Sequence, residues 1–128
     1  MIGYAMVGVS DLQRSSNYYD AILAPLGLAQ AESDITYVGY APASDPAEIE
    51  FYVTKPFNEK PATAGNGTMI AFLADSRPAV DLFHSTALEN GGADEGAPGP
   101  RPADGTIYYA YARDPDGNKI CAYCTNAN

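Results

Sequence analysis

At 128 residues, 46% of them hydrophobic, the chain has the length of one domain and the means to build a sizeable core. Its 16 acidic against 7 basic side chains give a formal charge of −9, which repels phosphate backbones and anionic lipid and argues against nucleic-acid and membrane partners. No apolar run approaches the roughly 18 residues that cross a bilayer, and no basic-then-apolar leader opens the chain, so a cytoplasmic location is expected.

The first apolar run, Tyr4–Val9, reads as a strand. Ser10 or Asp11 then caps a helix whose apolar stripe is Leu12, Tyr19, Ile22, Leu23 and Leu26, and Gly27 stops it in the left-handed conformation. Three strands are expected near 28–32, 35–41 and 48–54. In the last, Ile49, Phe51 and Val53 share one face, and Glu48, Glu50 and Tyr52 the other. The Pro- and Gly-containing stretch from Lys55 to Gly67 leads onward.

The second half repeats this order. Thr68–Leu73 is a strand, Asp75 or Ser76 a cap, Val80, Phe83, Ala87 and Leu88 a helical stripe, and Gly91 a stop. Strands follow near 92–95, 106–112 and 118–125. The Pro/Gly-rich Gly96–Pro102 makes a longer loop, and Asp114-Pro-Asp-Gly117 a turn. On the last strand Ile120, Ala122 and Cys124 share one face, and Lys119, Cys121 and Tyr123 the other. Cys121 and Cys124 thus point apart and do not bridge, and away from a helix start they lack the setting of a redox pair. His84, the single histidine, sits beside the helical stripe and reads as structural.

The halves align residue by residue. At an offset of 64, Asp11 meets Asp75, Tyr19 meets Phe83 and Gly27 meets Gly91. At an offset of 71, Tyr37 meets Tyr108, Tyr40-Ala41 meets Tyr111-Ala112, Ile49 meets Ile120 and Tyr52 meets Tyr123. The expected fold class is therefore α+β, with two tandem βαβββ modules forming curled mixed sheets around a cleft. One domain spans 1–128: module one about 1–57, a linker about 58–66, and module two about 67–128. Each sheet lays its apolar face on its helix and turns its tyrosine-rich face to the cleft, a composition that suits small molecules.

With Val9-Ser-Asp-Leu-Gln-Arg-Ser15 after the first strand and Asp114-Pro-Asp-Gly-Asn-Lys-Ile120 before the last, the tandem units resemble the vicinal oxygen chelate superfamily over essentially the whole chain. That family includes lactoylglutathione lyase (glyoxalase), extradiol dioxygenases, fosfomycin-resistance proteins and bleomycin-binding proteins. The resemblance implies a glyoxalase-like fold whose two halves, from one chain or from two chains of a dimer, face one another around the site. The family's enzymes hold a divalent metal that acts as a Lewis acid, with ligands from the first and fourth strand of each half. These positions fall on Tyr4, Glu50, Met69 and Cys121. Only Glu50 keeps the type found in lactoylglutathione lyase, and none of the dioxygenase ligands survives. Zn, Ni or Fe(II) wants at least three nitrogen or carboxylate donors, so neither a metal nor another cofactor is expected.

Glu50 remains as a candidate general base, hydrogen bonded by Tyr4 or another phenol and raised in pKa by burial, or as an inert polar residue. The candidate ligand-binding set is Tyr4, Met6, Tyr37, Glu50, Tyr52, Met69, Arg101, Tyr108, Cys121 and Tyr123. Tyrosine offers a flat apolar ring with a polar tip, suited to a planar guest. Arg101 either reaches over the pocket mouth to an anionic substituent or is a solvated loop residue. Arg14 and Arg113 read as surface ion-pair residues. The expected function is small-molecule binding of the sequestering kind by a homodimer, for an aromatic or thiol-conjugated ligand. The alternatives are a divergent lyase or isomerase of the lactoylglutathione lyase type, or a dioxygenase-like enzyme, with Glu50 as base or metal ligand, and a subunit that uses the repeat only for association.

Overall fold

Asp11 and Ser76 set the two helices. Each is extended and accepts a hydrogen bond from the backbone N–H three residues on, Arg14 in one case and Ala79 in the other. The computed structural model describes residues 1–127. Its elements in order are β1 (Ala5–Gly8), α1 (Leu12–Leu23), a 3-10 turn (Ala24–Leu26), β2 (Leu28–Ser33), β3 (Tyr37–Pro42), β4 (Phe51–Thr54), β5 (Met69–Leu73), α2 (Arg77–Glu89), β6 (Ala93–Pro100), β7 (Tyr108–Arg113) and β8 (Lys119–Cys124). The strand orders are β1-β4-β3-β2 and β5-β8-β7-β6. In each sheet the first and last strands of the module pair in parallel and the rest are antiparallel. The same mixed βαβββ sheet is thus built twice, without closing. Gly27 and Gly91 take the positive φ expected of them. No helix is long and apolar enough to cross a membrane.

The helices cover one face of each sheet, and the buried faces merge into one core. Tyr18, Tyr19, Ile22 and Leu23 of α1 and Val80, Phe83 and Ala87 of α2 join Phe51, Val53, Ala110, Ala112, Ile120 and Ala122 from the strands. Each fully buried large side chain contributes roughly 1.5–3 kcal/mol. Phe51 of the first sheet meets Phe72 of the second edge to face, centroids 5.1 Å apart.

The two motifs that carry the family resemblance clamp the modules together. Asp114, buried in the β7–β8 turn, accepts hydrogen bonds from Tyr19 Oη (2.7 Å), Asn118 Nδ2 (2.9 Å) and the backbone N–H groups of Asp116 and Asn118. Asn118 Nδ2 also donates to the carbonyl of Gly8 (2.9 Å), and Asp116 accepts from the N–H of Ser10 (3.0 Å). Arg14 pairs with Asp116 and Arg113 with Glu95, as expected for ion-pair residues.

Several expected details differ. The segment 96–100, expected as a loop, belongs to β6, an edge strand whose register shifts at Gly96 and Gly99. An edge strand tolerates proline because its outer N–H needs no partner. The fourth strand starts at Phe51 rather than near residue 48, and Ile49 lies against Gly39 on the Tyr52 side instead of sharing the face of Phe51. Leu88 is 42% exposed, and His84 takes the buried place on α2, its Nε2 2.8 Å from Asp94. Both cysteines are buried and free.

Candidate functional site

The face of the first sheet turned away from α1 carries an aromatic cluster. Tyr52 is central, with Tyr4 at 4.9 Å and Tyr37 at 5.7 Å between centroids, both edge to face. The sheet admits it because residue 39 is glycine: a Cβ there would lie 2.8 Å from Tyr52 Cε1. Tyr37 donates to Glu32 at 2.5 Å, and that bond pushes its phenol up to about 12.

Glu50 is fixed by its backbone beside Tyr4. Its carbonyl accepts from Ala5 N–H (3.0 Å) and its N–H donates to the Tyr40 carbonyl (2.9 Å). The carboxylate itself is exposed and makes no hydrogen bond among the described residues, so it is not the buried, phenol-bonded base expected. Tyr4, Glu50 and Met69 line a cleft of about 530 Å³ between the start of β1 and the edge strand β5, with Phe51, Ala71 and Leu73. That volume lies in the range of small-molecule sites. Met6 instead lines a separate groove of about 980 Å³ with Ile35, Lys55 and Phe57.

The corresponding face of the second sheet carries a second aromatic group. Tyr123, Tyr109 and Tyr111 form a near-parallel column, with centroids 5.7 Å and 5.9 Å apart and planes inclined by 21° and 8°. Two cations meet Tyr111: the Arg101 guanidinium 5.6 Å and the Lys119 ammonium 5.3 Å from its centroid. Cys121 pairs with Ala71 on one side and Tyr111 on the other. Its thiol is fully buried, and burial pushes it up to about 11 against the opposing pull of Lys119 and Arg101.

Tyr108 does not face the cleft. Its hydroxyl donates to Asp81 of α2 (2.6 Å) and Arg77 lies over its ring, so it packs beneath the helix. The cause is a one-residue error in the repeat. An offset of 71 sets Tyr40, buried against Tyr19 and Phe51, opposite Tyr111, which points the other way. A slip of one residue on a strand exchanges its faces. Tyr109 and Tyr111 are thereby the residues that sequence reasoning missed, whereas Lys119 is on the face expected for it with Cys121 and Tyr123. The alternation of Ala110 and Ala112 with Tyr109 and Tyr111 was the available signal.

The four family metal positions do not fit a Zn, Ni or Fe(II) ion. Tyr4 and Glu50 are neighbours, but across β5 and β8 Met69 stands opposite Lys119, and Cys121 stands opposite Ala71. The donors are one carboxylate, a phenol, a thioether and a thiol held protonated by burial. Among the described residues no three of His, Cys, Asp or Glu gather as a ligand set.

The model of the Glyoxalase/Bleomycin resistance protein/Dioxygenase superfamily matches residues 1–122. A crystal structure of a glyoxalase/bleomycin resistance protein from Albidiferax ferrireducens T118 is 42% identical, covering 97% of this chain and 98% of that one at a TM-score of 0.85. A glyoxalase-related enzyme from Fulvimarina pelagi (17% identity, 97% and 87% covered, TM-score 0.72) shares the fold. So does a V278E mutant of glyoxalase I from Zea mays (22% identity, TM-score 0.66), where the match covers 99% of this chain and 45% of the maize one. No curated protein matches the chain.

Proposed function

The chain belongs to the glyoxalase/bleomycin resistance protein/dioxygenase superfamily, and we propose that within it the protein is a cytoplasmic, metal-independent small-molecule binding protein that works as a homodimer. One observation carries this reading: Tyr4, Glu50 and Met69 gather at a cleft beside two tyrosine-rich sheet faces, while the inherited metal positions offer no usable donor set. An apolar concavity with few polar groups binds small organic guests, and tyrosine rings favour an aromatic or thiol-conjugated one. The dimer is supported by large apolar side chains left exposed along the separate groove, Met6, Ile35 and Phe57, which a second copy would cover. A single domain spanning 1–128, as two modules and a linker, is part of the same proposal.

A thermal-shift screen against small aromatics and thiol conjugates, with molar mass from light scattering, tests it. A ligand at about 100 times its Kd adds roughly 2.7 kcal/mol to stability, enough for a clear rise in melting temperature. A flat response across the panel together with a monomeric mass would overturn the reading.

A second reading, a lyase or isomerase with Glu50 as base, is favoured by one feature: the Glu50 carboxylate is open to the cleft. It requires turnover of a 2-oxoaldehyde–thiol adduct or a related substrate, abolished by Glu50→Gln.

A further inference from the structure

We propose that the outer face of the second sheet is a subsite for the carboxylate of an aromatic acid, held by Arg101 and Lys119 beside the tyrosine column. The proposal deepens the binding function above and rests on it.

Arg101 is not a loose surface arginine. Its Nη1 donates to the Gly99 carbonyl (2.9 Å) and its Nη2 to the Ala97 carbonyl (2.7 Å), which fold the side chain back over Tyr111. The bulged strand β6 is shaped to allow this. A Cβ on residue 96 would lie 2.8 Å from Tyr111 Cδ2 and 3.3 Å from Arg101 Nη2, and one on residue 99 would lie 3.1 Å from Nη1. A guanidinium carries five N–H donors, so those remaining after the two carbonyl bonds are held ready for a ligand.

Lys119 brings a second positive charge to the same ring. Among the described residues neither Arg101 nor Lys119 has a carboxylate partner within 4.0 Å, whereas Arg14 and Arg113 do. In a chain of net charge −9, two cations meet one ring without a counter-ion, and an anion bound beside that ring would gain from both charges. The ring beside them selects the rest of the ligand. Tyr111 continues into Tyr109 and Tyr123 as a stacked column against which an aromatic body packs. The burial that keeps the Cys121 thiol protonated beneath the column leaves no third anion to compete.

The test is calorimetric titration of the intact protein with 2-naphthoate, its neutral amide and inorganic phosphate, at low and high salt. The expected result is that 2-naphthoate binds at least tenfold tighter than the amide and than phosphate. Arg101→Gln and Lys119→Gln should each weaken the naphthoate about tenfold and the amide less than twofold, and added salt should weaken the naphthoate alone. Equal binding of acid and amide, unchanged naphthoate affinity in the double variant, phosphate binding as tightly as the naphthoate, or no naphthoate binding would each overturn the proposal. If neutral aromatics bind well while the acid gains nothing, this subsite fails and the binding function stands. If nothing aromatic binds at all, both fail. Circular dichroism confirms that both variants remain folded.

Discussion

Tyr19 of the first helix donates a 2.7 Å hydrogen bond to Asp114 in the last turn of the chain, so a buried phenol joins the polar clamp between the two modules. Both groups are buried, and burial with the adjoining carboxylate raises the phenol well above its ordinary range. Removing it should be costly. Tyr19→Phe keeps the ring packing against Phe51 and deletes only the bond to a charged acceptor, so it should lose about 1.5–3 kcal/mol in urea unfolding. A loss below about 0.5 kcal/mol would mean that the clamp is not held by this bond.

Alkaline stability should follow Cys121. Burial raises its folded value to about 11, above the roughly 8.5 of an unfolded thiol, so folding favours the protonated form. The resulting stabilisation is complete below about pH 8.5 and is lost as pH rises toward about 11, on the order of 3 kcal/mol over the whole window. Urea midpoints measured from pH 8 to 10 should fall in the wild type and fall less in Cys121→Ala, before the raised tyrosines add their own loss.

The β6 bulge makes a steric prediction. Gly96→Ala pushes a methyl into Tyr111 and should destabilise by about 1–3 kcal/mol. Gly3→Ala, where nothing lies within 4 Å, should be close to neutral in the same thermal melts.

The two faces of β7 should separate in function. Tyr111→Ala should weaken aromatic ligands several-fold. Tyr108→Phe, which removes the bond to Asp81 beneath the helix, should lower stability by about 0.5–1.5 kcal/mol and leave ligand affinity unchanged. Calorimetry with a thermal-shift hit distinguishes the two.

The same faces show what could be read in the sequence. Features with local causes were legible: the caps at Asp11 and Ser76, the stops at Gly27 and Gly91, the Asp114–Gly117 turn and the alternation along β8 are each set by residues a few positions apart. Positions set by pairing were harder. The third strands align only when the partner register is known, and a single-residue error placed Tyr108 in the cleft and hid Tyr109 and Tyr111. The Pro/Gly run 96–100 looks like a loop because its strand character comes from a bulged pairing with β7 rather than from propensity. Glu50 stands beside Tyr4 through the pairing of β1 with β4, and its exposure depends on how β1 meets β5, which no local pattern encodes.

Metal-independent binding at the cleft is tested by titrating one aromatic ligand into protein before and after exhaustive chelation, with metal content measured in parallel. The same affinity is expected in both samples, with well under one equivalent of Ni, Zn or Fe per chain. About one tightly bound equivalent, removed by Glu50→Gln and needed for ligand binding, would contradict it.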